Sequence, residues 1–91
     1  HSFVAMIEDC SCPAIVDEVR SQIVTLRQKH DGEIMKARLE RDPKLTLDIL
    51  TLAMLISEKV SALEELTVKL AKRGQCSGEF KELQESMKIL P

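Results

Sequence analysis

Apolar side chains recur at intervals of three and four residues along most of this sequence, which is the spacing of one face of an α-helix. The pattern is simplest in two stretches: Val16, Val19, Ile23 and Leu26, and later Phe80, Leu83, Met87 and Leu90. The chain also lacks Trp and Tyr and has only two Phe, whereas strands favour aromatic residues. Pattern and composition together predict an all-α fold.

Three breaks interrupt the pattern, and each carries signals for the start of a helix. Pro13 suits the first turn of a helix, where its missing N–H costs nothing. Asp42 is a good N-cap directly ahead of Pro43. Gly74 is the left-handed residue expected just beyond a helix end, and Ser77 can cap the helix that follows. The breaks therefore predict three helices separated by short turns.

The predicted helices cover residues 13–41, 43–73 and 78–89, after an N-terminal apolar segment of residues 1–12. Gly32 lies inside the first helix, but one glycine costs only ~1 kcal/mol there, so we expect the helix to continue through it. The short linker ahead of Pro43 makes the two long helices antiparallel neighbours. We therefore expect an antiparallel helical hairpin of two long helices plus a short C-terminal helix, with coiled-coil-like bundle packing in residues 13–91.

The second helix carries a heptad-like stripe of apolar residues with one polar member. Its members are Leu45, Ile49, Leu52, Ile56, Lys59, Leu63, Leu66 and Leu70. Such a stripe is typical both of a core-facing helix in a bundle and of a coiled-coil seam between chains. The sequence leaves both interpretations open.

The first turns of this helix are apolar on several faces, and a helix that is apolar nearly all round must be buried nearly all round. The facing end of the first helix offers only a narrow apolar strip, and the third helix should lie along residues 58–70. We therefore predict an association surface, with a two-fold homodimer as the simplest closed solution. The predicted interface residues are Leu45, Leu47, Ile49, Leu50, Leu52, Met54, Leu55 and Ile56.

Charge and cysteine content narrow the range of partners and locations. The net charge of −2 and the absence of a basic, aromatic-rich stripe argue against nucleic-acid binding. The longest apolar run, residues 52–56, is too short to span a bilayer, so no membrane insertion is expected. Three cysteines are an odd number, and no Asn is present to carry a glycan. These features predict a reducing, cytoplasmic location.

Catalytic and metal-binding chemistry finds little support in the sequence. Cys10, Cys12, Cys76 and His30 lack the paired short spacings of a zinc site, so we expect neither a metal nor a cofactor. Cys12 precedes a helix N-terminus, where a thiol can become reactive, although a small residue beside the cap is the simpler interpretation. With no nucleophile motif and no phosphate-binding loop, an enzyme is not expected.

These features favour a non-enzymatic protein-protein interaction and dimerisation module of a larger coiled-coil scaffold or adaptor protein. The alternative is a module that docks an amphipathic helix of another protein. The two-residue-wide stripe of Leu52, Leu55, Ile56, Val60 and Leu63 resembles the helices by which kinase-anchoring proteins dock on regulatory-subunit dimers. That resemblance implies a helical partner. A third hypothesis is a secreted helical-bundle signalling protein.

Overall fold

A computed structural model describes residues 11–89, which form three helices: α1 (Cys12–Leu39), α2 (Pro43–Lys72) and α3 (Ser77–Ile89). The all-α fold class is confirmed, and α1 runs unbroken through Gly32. Helices α1 and α2 pack along each other as the antiparallel hairpin, and α3 packs against both. Residues 1–10 of the predicted N-terminal segment, including Cys10, lie outside the described residues.

The α1–α2 turn is closed by two carboxylates. The Glu40 side chain accepts hydrogen bonds from the backbone N–H groups of Arg41 and Asp42, both at 3.1 Å. Asp42 caps α2 by accepting a hydrogen bond from the Lys44 N–H at 2.9 Å, directly ahead of Pro43. Glu40 is already extended, so α1 ends at Leu39, two residues earlier than predicted.

The α2–α3 turn depends on Gly74, whose φ of 103° is readily adopted only by glycine. The first hydrogen bond of α3 runs from the Phe80 N–H to the Cys76 carbonyl at 3.0 Å, so α3 begins at Ser77 rather than at residue 78. Cys76 also forms a disulfide with Cys12 at the start of α1, with the two Cα atoms 5.4 Å apart. This bond links the first turn of α1 to the α2–α3 turn.

The hydrophobic core occupies only the half of the hairpin that α3 covers, which we call the basal half. Phe80, Ile23 and Leu83 are its largest fully buried side chains. The other buried members come from the start of α1 and the end of α2: Ile15, Val16, Val19 and Ala71. The half near the α1–α2 turn, the distal half, consists of two helices alone. Within residues 11–89, no helix is long and apolar enough to cross a membrane.

Candidate association surface

Three parallel rows of residues run along α2, each with the alternating three- and four-residue spacing of a heptad. The inner row faces the protomer's own core and is buried or half-buried throughout: Ile49, Ala53, Ile56, Val60, Leu63, Thr67 and Leu70. It forms the seam of the hairpin. The predicted stripe therefore straddled two rows, because its members Ile49, Ile56, Leu63 and Leu70 belong to this inner one.

A second row lies on the side of α2 that carries α3. Its basal end, Glu64 and Val68, lines a groove together with Gln84 and Met87 of α3. Helical periodicity places Leu47, Leu50 and Met54 on the distal continuation of the same row. Helix α3 does not reach them, because it is only 13 residues long and starts from the basal end.

The third row, which we call the outer row, contains Leu45, Asp48, Leu52, Leu55, Lys59, Ala62 and Leu66. All seven residues are exposed. Four are leucines spaced as a and d positions of a coiled coil, and the polar members are one acid and one base. The outer row has the pattern of a coiled-coil seam, but no helix among residues 11–89 packs on it.

Six large apolar side chains of α2 remain exposed in the distal half, and we call them the distal surface: Leu45, Leu47, Leu50, Leu52, Met54 and Leu55. Their exposed fractions lie between 42% and 63%. Two further residues of the predicted interface do not belong to it. Ile56 is 5% exposed and Ile49 is half-buried, because both turn into the hairpin seam. We therefore leave these two positions out of the distal surface.

Small residues explain why the distal half buries so little. In this half the buried side chains are Ala37 of α1 and Ala53 of α2, besides Ile56. Alanines let the two helices approach closely but contribute little apolar area of their own. The larger α1 residues Met35 and Leu39 point outward, with exposed fractions of 56% and 76%. The distal leucines of α2 therefore have no cover within the described chain.

Within residues 11–89, the ion pairs are few and lie away from the outer row. Arg27 of α1 donates to the Glu64 carboxylate of α2 at 2.8 Å, with both side chains partly exposed. A pair of this kind contributes at most about 1 kcal/mol. Among residues 11–89, Asp48 and Lys59 have no ion-pair partner. Both charges are therefore available to a partner.

An open groove of about 590 Å³ borders the outer row where it passes α1. Leu26 of α1 and Ala62 and Leu63 of α2 provide its apolar wall, and Lys59 stands at its edge. The groove exists because the outer row has its smallest side chain at Ala62. It is wide enough to receive a side chain from another molecule.

The residues considered for chemistry do not assemble into a reactive site. Cys12 and Cys76 form a disulfide rather than free thiols, which rules out Cys12 as a reactive thiol in this state. No three potential metal ligands cluster within the described part of the chain. His30 Nδ1 and Asp31 Oδ1 approach to 3.8 Å despite being adjacent, which is longer than a hydrogen bond.

The surplus of apolar side chains in α2 was predictable from the sequence, but their division between separate rows was not. The separation into inner and outer rows depends on where α1 lies, which one helix pattern does not reveal. The polar residues Asp48 and Lys59 were the available signal, because both fall on one row and neither falls on the inner row.

Comparison with protein-family models, with curated proteins and with solved structures finds no match for this chain.

Proposed function

We propose that this chain is a non-enzymatic association module that forms a homodimer through the distal surface. The observation that carries the proposal is the exposure of six large apolar side chains on one half of one helix. Monomeric proteins seldom expose a contiguous apolar patch of this kind. A two-fold dimer covers the same patch on both copies with one self-complementary contact.

The energy available from this surface is sufficient for association. Fully burying a Leu or Met side chain contributes about 1.5–3 kcal/mol, so six half-exposed side chains contribute on the order of 6 kcal/mol per protomer if all are covered, and about half of that if a partner covers only one row. Association itself costs about 4–15 kcal/mol in lost freedom of motion. Gain and cost for two protomers are thus of the same order, which is the range of a reversible dimer.

Sedimentation equilibrium tests the proposal, using the wild type and two variants that place a carboxylate on opposite sides of the distal surface. These variants are Leu50→Asp and Leu55→Asp. We expect a wild-type dimer at micromolar concentration, and we expect at least one variant to be monomeric, because an unpaired charge must then be buried in the contact.

Val68→Asp is the matched control, because Val68 is 40% exposed, close to the 43% of Leu50, and lies outside the distal surface. It should sediment as the wild type does. Circular dichroism should show the same helix content in all four proteins. A wild type that remains monomeric up to about 100 μM would contradict the proposal.

A second candidate function is the docking of another protein's amphipathic helix, and one observation favours it. Leu47, Leu50 and Met54 continue the row that borders the groove beside α3, so a foreign helix placed end to end with α3 would lie along them. A wild-type monomer whose Leu50→Asp variant loses affinity for such a helix would favour this candidate over the homodimer.

Membership of a coiled-coil scaffold or adaptor, and a cytoplasmic location, stay predictions. The Cys12–Cys76 disulfide counts against the cytoplasm, because disulfides persist mainly in oxidising compartments. It favours the third hypothesis, a secreted helical bundle, over an intracellular scaffold. The proposed dimer does not depend on the compartment, since its contact surface contains no cysteine.

A further inference from the structure

We infer that the outer row is an antiparallel coiled-coil seam between two copies of this chain, centred between Leu52 and Leu55. This inference rests on the proposed function and specifies its partner and register. The outer row fits because every one of its seven members is exposed while it keeps coiled-coil spacing. The occupant is another α2, running in the opposite direction.

The charges of the outer row are arranged symmetrically about its centre. Asp48 lies four residues before Leu52, and Lys59 lies four residues after Leu55. When two copies pair in opposite directions about this centre, Leu52 meets the partner's Leu55, and Asp48 meets the partner's Lys59. The two-fold axis generates each contact twice. The row is therefore complementary to itself in shape and in charge.

A parallel pairing in register would have the opposite effect. It would place Asp48 against the partner's Asp48 and Lys59 against the partner's Lys59 inside an apolar seam. Like charges at such short range repel, and burial makes the repulsion stronger. The positions of these two residues thus select the antiparallel orientation.

Residues beside the seam add a second complementary pair. Lys44 and Glu65 precede Leu45 and Leu66 by one residue, so both occupy the flanking g position, and both are exposed. In the antiparallel register Lys44 lies beside the partner's Glu65. Neither residue has an ion-pair partner within residues 11–89. Such flanking pairs set the orientation and partner choice of coiled coils.

The groove beside Ala62 fits the same register. Leu45 of the partner is the residue that pairs with Ala62, so its side chain falls at the groove of about 590 Å³ formed with Leu26 and Leu63. A large side chain opposite a small one is the packing expected of an interdigitated seam. Helix α3 does not obstruct this contact, because it borders α2 at Glu64 and Val68, on the other side of the inner row.

Charge reversal tests the register directly. Lys59→Glu places a carboxylate opposite Asp48 in both halves of the seam, and Asp48→Lys places an amine opposite Lys59. We expect each single variant to raise the dimer dissociation constant at least about tenfold. The double variant Asp48→Lys/Lys59→Glu should return to within about threefold of the wild type, because both pairs become attractive again.

Mixing the two single variants tests whether these charges meet across the seam. The orientation is tested by each single variant alone, because a parallel pairing would contain two repulsive pairs both before and after the substitution. A heterodimer of Lys59→Glu with Asp48→Lys has only attractive pairs, so the mixture should associate at least about tenfold more tightly than either variant alone. Lys81→Glu is the matched control, because it makes the same change in net charge at an exposed position of α3, which lies off the outer row. It should dimerise as the wild type does.

The apolar centre of the seam gives an independent readout. Leu55→Asp should abolish dimerisation, whereas Leu50→Asp, on another row, should leave it unchanged. A wild-type dimer that responds equally to Lys59→Glu and Lys81→Glu, or a double variant as weak as its single variants, would overturn this register while leaving the proposed dimer intact. A monomeric wild type would overturn both.

Discussion

Gly32 and Gly74 occupy equally open positions but differ in backbone conformation. A Cβ atom added at either position would meet no heavy atom within 4 Å. Gly32 lies within α1, where glycine is a poor helix former, whereas Gly74 has a φ of +103°. Sterics therefore do not separate the two glycines, and any difference between them comes from the backbone.

Alanine substitution should shift stability in opposite directions at the two glycines. Gly32→Ala should raise the free energy of unfolding by about 0.5–1 kcal/mol, because alanine favours the helix and loses less freedom on folding. Gly74→Ala should lower it by about 1 kcal/mol or more, because alanine resists positive φ. Urea unfolding followed by circular dichroism measures both values. Equal shifts in the free energy of unfolding would contradict the backbone conformations of the two glycines.

A disulfide joins the first residue of α1 to the residue that directly precedes α3. The Cys12–Cys76 disulfide closes a segment with a sequence separation of 64 residues. Half-buried Cys76 packs against the core cluster that holds Phe80 and Leu83. The bond thus fixes the α2–α3 turn to the first turn of α1, next to the largest buried side chains.

Removing this bond should cost substantial stability. We expect Cys12→Ser/Cys76→Ser to lower the free energy of unfolding by about 2–4 kcal/mol, because the unfolded chain regains the freedom that the closed loop removes. A reductant should lower the stability of the wild type by a similar amount and leave the double variant unaffected. Thermal denaturation with and without reductant measures both effects. A wild type insensitive to reductant would show that the basal core alone holds these elements together.

Local signals account for most of the helix boundaries, and tertiary contacts account for the rest. Asp42-Pro43 and Gly74 marked the turns correctly, because capping and positive φ are properties of a few adjacent residues. The pairing of Cys12 with Cys76 was missed, because it depends on the packing of helices whose ends are far apart in sequence. The odd cysteine count instead led to the expectation of a reducing compartment.

The same limit explains what the sequence could and could not predict about the association surface. Apolar surplus in residues 45–56 was visible, because it needs only a count of large side chains around one helix. Ile56 was included in the predicted interface but is 5% exposed, because only the position of α1 shows which face of α2 is already covered. When the α2 positions that face α1 are set aside, the outer row is recognisable as a second heptad-spaced set of residues.

The whole molecule divides into a basal half with a core and a distal half without one. It is elongated, with principal extents of 50 × 29 × 16 Å. All of its fully enclosed large side chains lie at the end where three helices meet. A second copy in the antiparallel register would lay its distal half along the outer row, and so add helices where this chain has only two.

Stability should therefore depend on protein concentration. Binding of a second folded copy stabilises the folded state by mass action, so a hundredfold rise in concentration contributes ~2.7 kcal/mol per dimer, or roughly half of that per protomer. For a chain of this size that corresponds to a rise in Tm of about 5–10 °C. Calorimetry at about 2 μM and about 200 μM protein measures this shift in Tm. In Leu55→Asp the Tm should be independent of protein concentration, because a second copy no longer packs on the seam. The distal half of this variant should unfold before the disulfide-bonded basal half. A concentration-independent Tm in the wild type would mean that the distal helices hold together as a pair, with their leucines in water.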